Sequence, residues 1–157
     1  MVSKKQLFDF IDKAGKSTWA GGGKPSENPQ RPGFTELEYS EGDFSYIDSY
    51  AGGNRSRGME VVRYKGEPIW SSSYGGGMVE GKEGLADEAF TFLKKAISAD
   101  EEGFHSFRGP HHFTDGDWKY TYQQDGDEFE FSGYEEIHQG SDLIFFHRII
   151  GGSIEYR

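Results

Sequence analysis

Apolar residues recur at helical spacing in two stretches of the chain: Leu7, Phe10, Ile11 and Ala14, then Leu85, Ala89, Phe92, Leu93, Ala96 and Ile97. The first stretch predicts a helix starting at Ser3, because "SKKQ" has the form of a capping box and Gly15 is a good terminator. The second predicts a helix over about 85–98 with one apolar face. Between them lie four strand-like segments, 35–40, 43–50, 58–64 and 68–74. The compact turns "EGD" and "KGEP" make two hairpins of them, joined by "AGGNRSR". After the second helix, strands are expected near 106–113, 117–123, 127–138 and 142–150, with Asp-Gly turns at 115–117 and 125–127. "SIEYR" reads as a short closing strand. The stretch "STWAGGGKPSENPQRPG" is too rich in glycine and proline for helix or central strand.

The second half echoes the first in the same order. "LFDFIDKA" aligns with "AFTFLKKA" at an offset of 82, "EGDFSY" with "DGDWKY" at 74, "GMEVV" with "GYEEI" at 75 and "YGG" with "IGG" at 76. An insertion of about eight residues in the glycine-proline loop of the first half accounts for the drop in offset, and loops tolerate insertions best. The expected architecture is α+β: two αββββ repeats, about 3–80 and 81–157, related by a pseudo-twofold axis within one domain of residues 1–157. Antiparallel strands would form one sheet or two, with both helices packed on them.

Composition narrows the function classes. With 157 residues and no cysteine, the chain is long enough for its own core and has neither disulfides nor thiolate chemistry. Thirteen Phe, nine Tyr and three Trp supply large buried area per residue. The net charge of −10 is local: residues 100–142 hold 12 acidic residues against Arg108 and Lys119, and the remainder balances at 15 of each sign. Such a face is solubilising, or meets a basic partner. Direct nucleic-acid binding is disfavoured without a Lys/Arg cluster. No apolar run reaches the roughly 20 residues of a membrane helix, and the start is not a signal peptide, so a cytoplasmic location with no membrane contact is expected.

"PGFTELEYSEGDFSYIDSYAGG", "GMEVVRYKGEPIWSSSYGGG" and the later "FRGP…DGDWKY" resemble an uncharacterised bacterial and archaeal domain family. The resemblance covers nearly all the chain, and its most specific part is "YxGG…GxExVxYxGxPxW…YxGG". Members are sometimes joined to an Xre-type helix-turn-helix, which implies a link to transcription regulation; here the chain is expected to begin directly at the domain. The resemblance brings no activity and no catalytic residue.

Residue chemistry gives a pocket before it gives a reaction. Of the histidines, His111, His138 and His147 with Glu135 would make a ligand set suited to zinc or nickel, but the spacing is generic and no metal is expected. His111 and His112 are adjacent, so on a strand they face opposite ways; His105 adds no pattern. The "DGD" pairs lack the alternating ligands of a calcium loop, "GGGK" at 21–24 lacks the frame of a phosphate loop, and Ser71, Ser72 and Ser73 sit in no nucleophile motif. Glu60 and Glu135 occupy equivalent repeat positions inside apolar strands, where a carboxylate either faces a pocket or pairs with an arginine such as Arg55, Arg57 or Arg63. The expected ligand site combines Trp19, Tyr50, Glu60, Trp70 and Tyr74, with the inserted loop as a lid. A non-enzymatic module that binds a small molecule or a protein is therefore expected, without a cofactor. The alternatives are a small acid–base hydrolase or isomerase using Glu60 or the histidines, and an acidic inhibitor or immunity-type protein with a basic partner.

Overall fold

The structure, a computed structural model, describes residues 2–157. Helix α1 spans Lys4–Ser17. Ser3 Oγ accepts the Gln6 backbone N–H at 3.2 Å while Gln6 Oε1 accepts the Ser3 N–H at 3.0 Å, so the capping box forms as the sequence indicates. The helix continues past Gly15 and stops at Thr18, whose hydroxyl donates back to the Ala14 carbonyl at 2.8 Å.

Strands β1 (Thr35–Glu41), β2 (Phe44–Gly52), β3 (Arg55–Tyr64) and β4 (Glu67–Met78) follow as an antiparallel meander. In the β3–β4 turn both Lys65 and Gly66 take positive φ, the conformation that suits a tight hairpin to twisted strands. A single 3-10 turn, Glu83–Leu85, leads into helix α2 (Ala86–Ser98). Strands β5 (His112–Asp115), β6 (Trp118–Gly126), β7 (Glu130–Gln139) and β8 (Asp142–Ser153) form a second meander. All eight strands lie in one antiparallel sheet of order β1-β2-β3-β4-β8-β7-β6-β5, with β4 and β8 paired at its centre.

Two expected strands differ. Most of 106–113 is loop, because the Ser106 hydroxyl both donates to the Gly109 carbonyl and accepts the Arg108 N–H, closing a turn before Pro110. Nor does "SIEYR" make a strand of its own. Ser153 ends β8, and Ile154 donates one backbone bond to Ile69 before the chain leaves the sheet.

Both helices cover the same face of the sheet. Helix α1 packs against β1 and β2, and α2 against β5 and β6, the outer strands of the two meanders. Leu7, Phe10, Ile11 and Ala14 of α1 and Ala89, Phe92, Leu93 and Ala96 of α2 join Tyr46, Val62, Trp70, Tyr120, Ile137 and Phe145 in one core. Burying a side chain such as Phe92 or Leu93 stabilises the fold by about 1.5–3 kcal/mol. Among the described residues no helix is long and apolar enough to cross a membrane.

Candidate functional site

Strand alternation puts an unusual set of polar side chains on the helix-covered face. Across β2, β3 and β4 the register aligns Asp48, Glu60 and Ser72 in one row. Across β6, β7 and β8 it aligns Tyr122, Glu135 and His147. Between these rows and the helices lies a cavity of about 260 Å³. Its apolar walls come from Trp19 beyond α1, Phe90, Leu93 and Ile97 of α2, and Phe145 of β8; Asp48, Tyr50, Glu60, Tyr74, Arg108 and His147 supply the polar ones.

Glu60 of β3 and Glu135 of β7 each have a tyrosine partner. Tyr46 donates to Glu60 Oε1 at 2.6 Å, and Tyr120 donates to Glu135 Oε2 at 2.7 Å. Their other partners differ. Arg108 forks onto Glu135 with Nε at 3.1 Å and a terminal nitrogen at 2.6 Å, and His147 Nδ1 lies 3.1 Å from the same carboxylate. Burial alone would push Glu135 up, but the Arg108 guanidinium and the His147 contact outweigh it and hold the carboxyl at about 2. Burial lowers His147. A neutral imidazole with its proton on Nδ1 serves Glu135 and leaves Nε2 to accept the Ser56 hydroxyl at 3.4 Å. Arg108 is aimed from the loop that follows α2, which Phe107 anchors by stacking on Phe131 at 4.3 Å.

Among the described residues no cation donates to Glu60. Ser72 and Tyr46 donate hydroxyls to it, and Tyr74 donates its own to Asp48 Oδ1 at 2.7 Å. Asp48 is only 5% exposed. Burial first, and then the charge of Glu60, push its carboxyl up to about 7, against the Tyr74 bond and the field of Arg108. Burial and the neighbouring carboxylates raise Tyr46 and Tyr74, so both remain protonated donors.

Two glycines make room for this layer. A Cβ on Gly58 would collide with the Tyr74 ring, and one on Gly133 with the Tyr122 hydroxyl. The glycines that open "GMEVV" and "GYEEI" therefore seat tyrosines over the sheet.

Of the residues expected from sequence, Trp19, Tyr50, Glu60 and Tyr74 line the cavity and Trp70 does not. Trp70 sits four residues back along β4, about 13 Å away. It is fully buried, stacked on Phe131 at 5.9 Å, and its Nε1 has no hydrogen-bond partner among the described residues. The arginine beside Glu135 is Arg108, whereas Arg57 donates to backbone carbonyls of Ser56 and Gly76. Of the four considered metal ligands, His147 and Glu135 meet, but His111 pairs with Glu101 at 2.9 Å and His138 lies 3.7 Å from Glu136. No group of three or more His, Cys, Asp or Glu arranged to hold a metal ion occurs among the described residues. Sequence reasoning missed Asp48 and Arg108. Asp48 was within reach, since it alternates with Tyr46 and Tyr50 and so shares their face.

Residues 48–154, more than half of the chain, match the sequence pattern of a domain of unknown function, DUF5680. The chain belongs to this family. The DUF5680 match opens on Asp48 and ends just past β8, so it takes in Asp48, Glu60, Tyr74, Arg108, Glu135 and His147. Helix α1, Trp19, β1 and Tyr46 precede it. No curated protein and no solved structure matches this DUF5680 chain.

Proposed function

We propose that this DUF5680 domain is a non-enzymatic small-molecule-binding module, with the cavity between its sheet and helices as the ligand site. The observation that carries the reading is Asp48. Its carboxylate is nearly buried, accepts one hydrogen bond from Tyr74, and opens onto a space of about 260 Å³ with aromatic and aliphatic walls. A concave, mostly apolar pocket with a few convergent polar groups is what small ligands occupy. The aligned halves, read as a duplicated αββββ unit, explain how it arose: one half keeps its carboxylate neutralised by Arg108, and the other keeps it open to the cavity. Through the family resemblance the module would inform a transcription regulator of ligand occupancy.

A thermal-shift screen of the purified domain against a broad metabolite library tests this, because a ligand selective for the folded state stabilises it by RT ln(1 + [L]/Kd). A hit weakened in Tyr74→Phe and in Trp19→Ala supports the site. A library that stabilises nothing, or hits indifferent to both substitutions, overturns it.

A carboxyl held near neutral pH also favours a second reading, acid–base catalysis by Asp48 with Glu60. Turnover of a screening hit with a bell-shaped pH–rate profile, lost in Asp48→Asn, would put that reading first.

A further inference from the structure

We infer that the ligand of this cavity is an organic cation, an ammonium or guanidinium group seated against Asp48 and Glu60 with its apolar body between Trp19 and α2. The inference rests on the binding-module reading and names the chemical class that reading leaves open.

Charge balance is the first argument. Three buried or half-buried carboxylates, Asp48, Glu60 and Glu135, share one guanidinium, Arg108, and two of its nitrogens are committed to Glu135. Neither Asp48 nor Glu60 makes an ion pair among the described residues; their donors are the hydroxyls of Tyr46, Ser72 and Tyr74. Asp48 Oδ2 accepts no hydrogen bond from the described residues, although the side chain is nearly buried. Buried charges are normally paired, so this pair of carboxylates is short of one positive partner.

The second argument comes from inside the molecule. Glu135 and Glu60 hold equivalent places in the two meanders and have equivalent tyrosine donors. On Glu135 the remaining place is taken by Arg108, delivered by the loop after α2. The corresponding segment after α1 delivers no cation to Glu60. Its Lys24 pairs with Glu27, and the Arg31 guanidinium lies against Phe34 and the Met59 sulfur. An incoming ammonium or guanidinium would do for the first half what Arg108 does for the second.

The walls suit the same ligand. Tyr50, Tyr74 and Trp19 bring aromatic rings to the cavity wall, two of which already lie near a cation (Arg108 5.9 Å from the Tyr74 ring, Lys94 5.3 Å from that of Trp19), while Phe90, Leu93 and Ile97 offer apolar surface to the rest of the molecule. A bare metal ion would leave that apolar surface unfilled.

The test is calorimetric titration of the full chain with four matched probes: phenethylammonium, phenylguanidinium, 2-phenylethanol and phenylacetate. One or both cations should bind at least about tenfold tighter than the alcohol, with phenylacetate weakest, since a charge-assisted hydrogen bond is about twice as strong as a neutral one. Asp48→Asn and Glu60→Gln should each narrow the gap between cation and alcohol. Should one variant misfold, the other carries the comparison. Equal binding of alcohol and amine, or tightest binding of phenylacetate, overturns the cation inference while the binding module stands. If none of the four binds, the library screen decides. Cationic hits support the inference, neutral or anionic hits overturn it alone, and a silent library overturns both.

Discussion

Asp48 and Glu60 stand directly opposite each other in the β2–β3 ladder, two carboxylates on one covered face whose donors among the described residues are all hydroxyl groups. Like charges so placed oppose folding. The arrangement therefore costs stability and calls for another explanation than packing. Asp48→Asn keeps an acceptor for Tyr74 and removes the repulsion, so it should stabilise the protein at pH 8 by on the order of 1–4 kcal/mol. Urea unfolding measures this, and a destabilised variant would mean that the charge serves the fold.

Arg108 and Glu135 should behave oppositely. Removing the guanidinium strands a fully buried carboxylate, so Arg108→Met should cost about 3–5 kcal/mol. Adding Glu135→Gln should return a large part of that loss, because the stranded charge then disappears. A double-mutant cycle with strictly additive losses would contradict the pairing.

The pH dependence separates the two carboxylates by sign. Glu135 is held at about 2, below its ordinary 4.5, so its contribution is complete above pH 4.5 and is lost as pH falls toward 2. Asp48 is raised to about 7 from 3.8, so its cost is complete above pH 7 and fades as pH falls toward 4. Facing Asp48 are Glu60 of β3, Tyr74 of β4, Arg108 of the loop after α2, His147 of β8 and Tyr46 and Tyr50 of its own strand. The helices add only uncharged walls there, and Lys94 lies against the Trp19 ring. The stability gained in Asp48→Asn should accordingly be greatest above pH 7 and shrink toward pH 4, and the loss in Glu135→Gln should be greatest above pH 4.5. Stability curves of each variant against the parent, measured across that range, check both signs.

Gly58→Ala should act on the site from beneath. The added methyl group displaces the Tyr74 ring and with it the hydroxyl bonded to Asp48. Overpacking of this kind costs about 1–3 kcal/mol, and ligand affinity should fall along with stability. Gly84→Ala, away from the cavity and with open space where its Cβ would stand, is the control. Comparable losses in both would remove the steric explanation.

The elements were largely legible because their signals are local. Ser3 and Gln6 announce the start of α1, the spacing of Leu85 to Ile97 gives α2, and Lys65-Gly66 closes a hairpin. The site was legible as aromatics at strand ends with a carboxylate between them, and Tyr50, Tyr74 and Glu60, on three adjacent strands, do line one cavity. Trp70 belongs to the same face but lies two pleats further along β4, a distance that residue type cannot convey. Arg108 was beyond reach for a different reason. It sits in an irregular loop, and tertiary contacts such as the stacking of Phe107 on Phe131 and the Gly109 N–H bond to the Tyr120 hydroxyl decide where its guanidinium ends up. Local signals do not fix strand order, so the meeting of β4 with β8 at the centre also had to be observed.

Helices α1 and α2 are fastened to opposite margins of the sheet, yet the end of one and the inner face of the other close over the same space. A molecule lodged there would touch both and act as a keystone between two arms held on different strands. Occupancy should then slow amide hydrogen exchange together at residues 15–20 and 90–97, segments far apart in the chain. The central strands, already locked into the ladder, would hardly register it. The domain would thus convert a binding event into the stiffness of its outermost layer, the part most available to a neighbour.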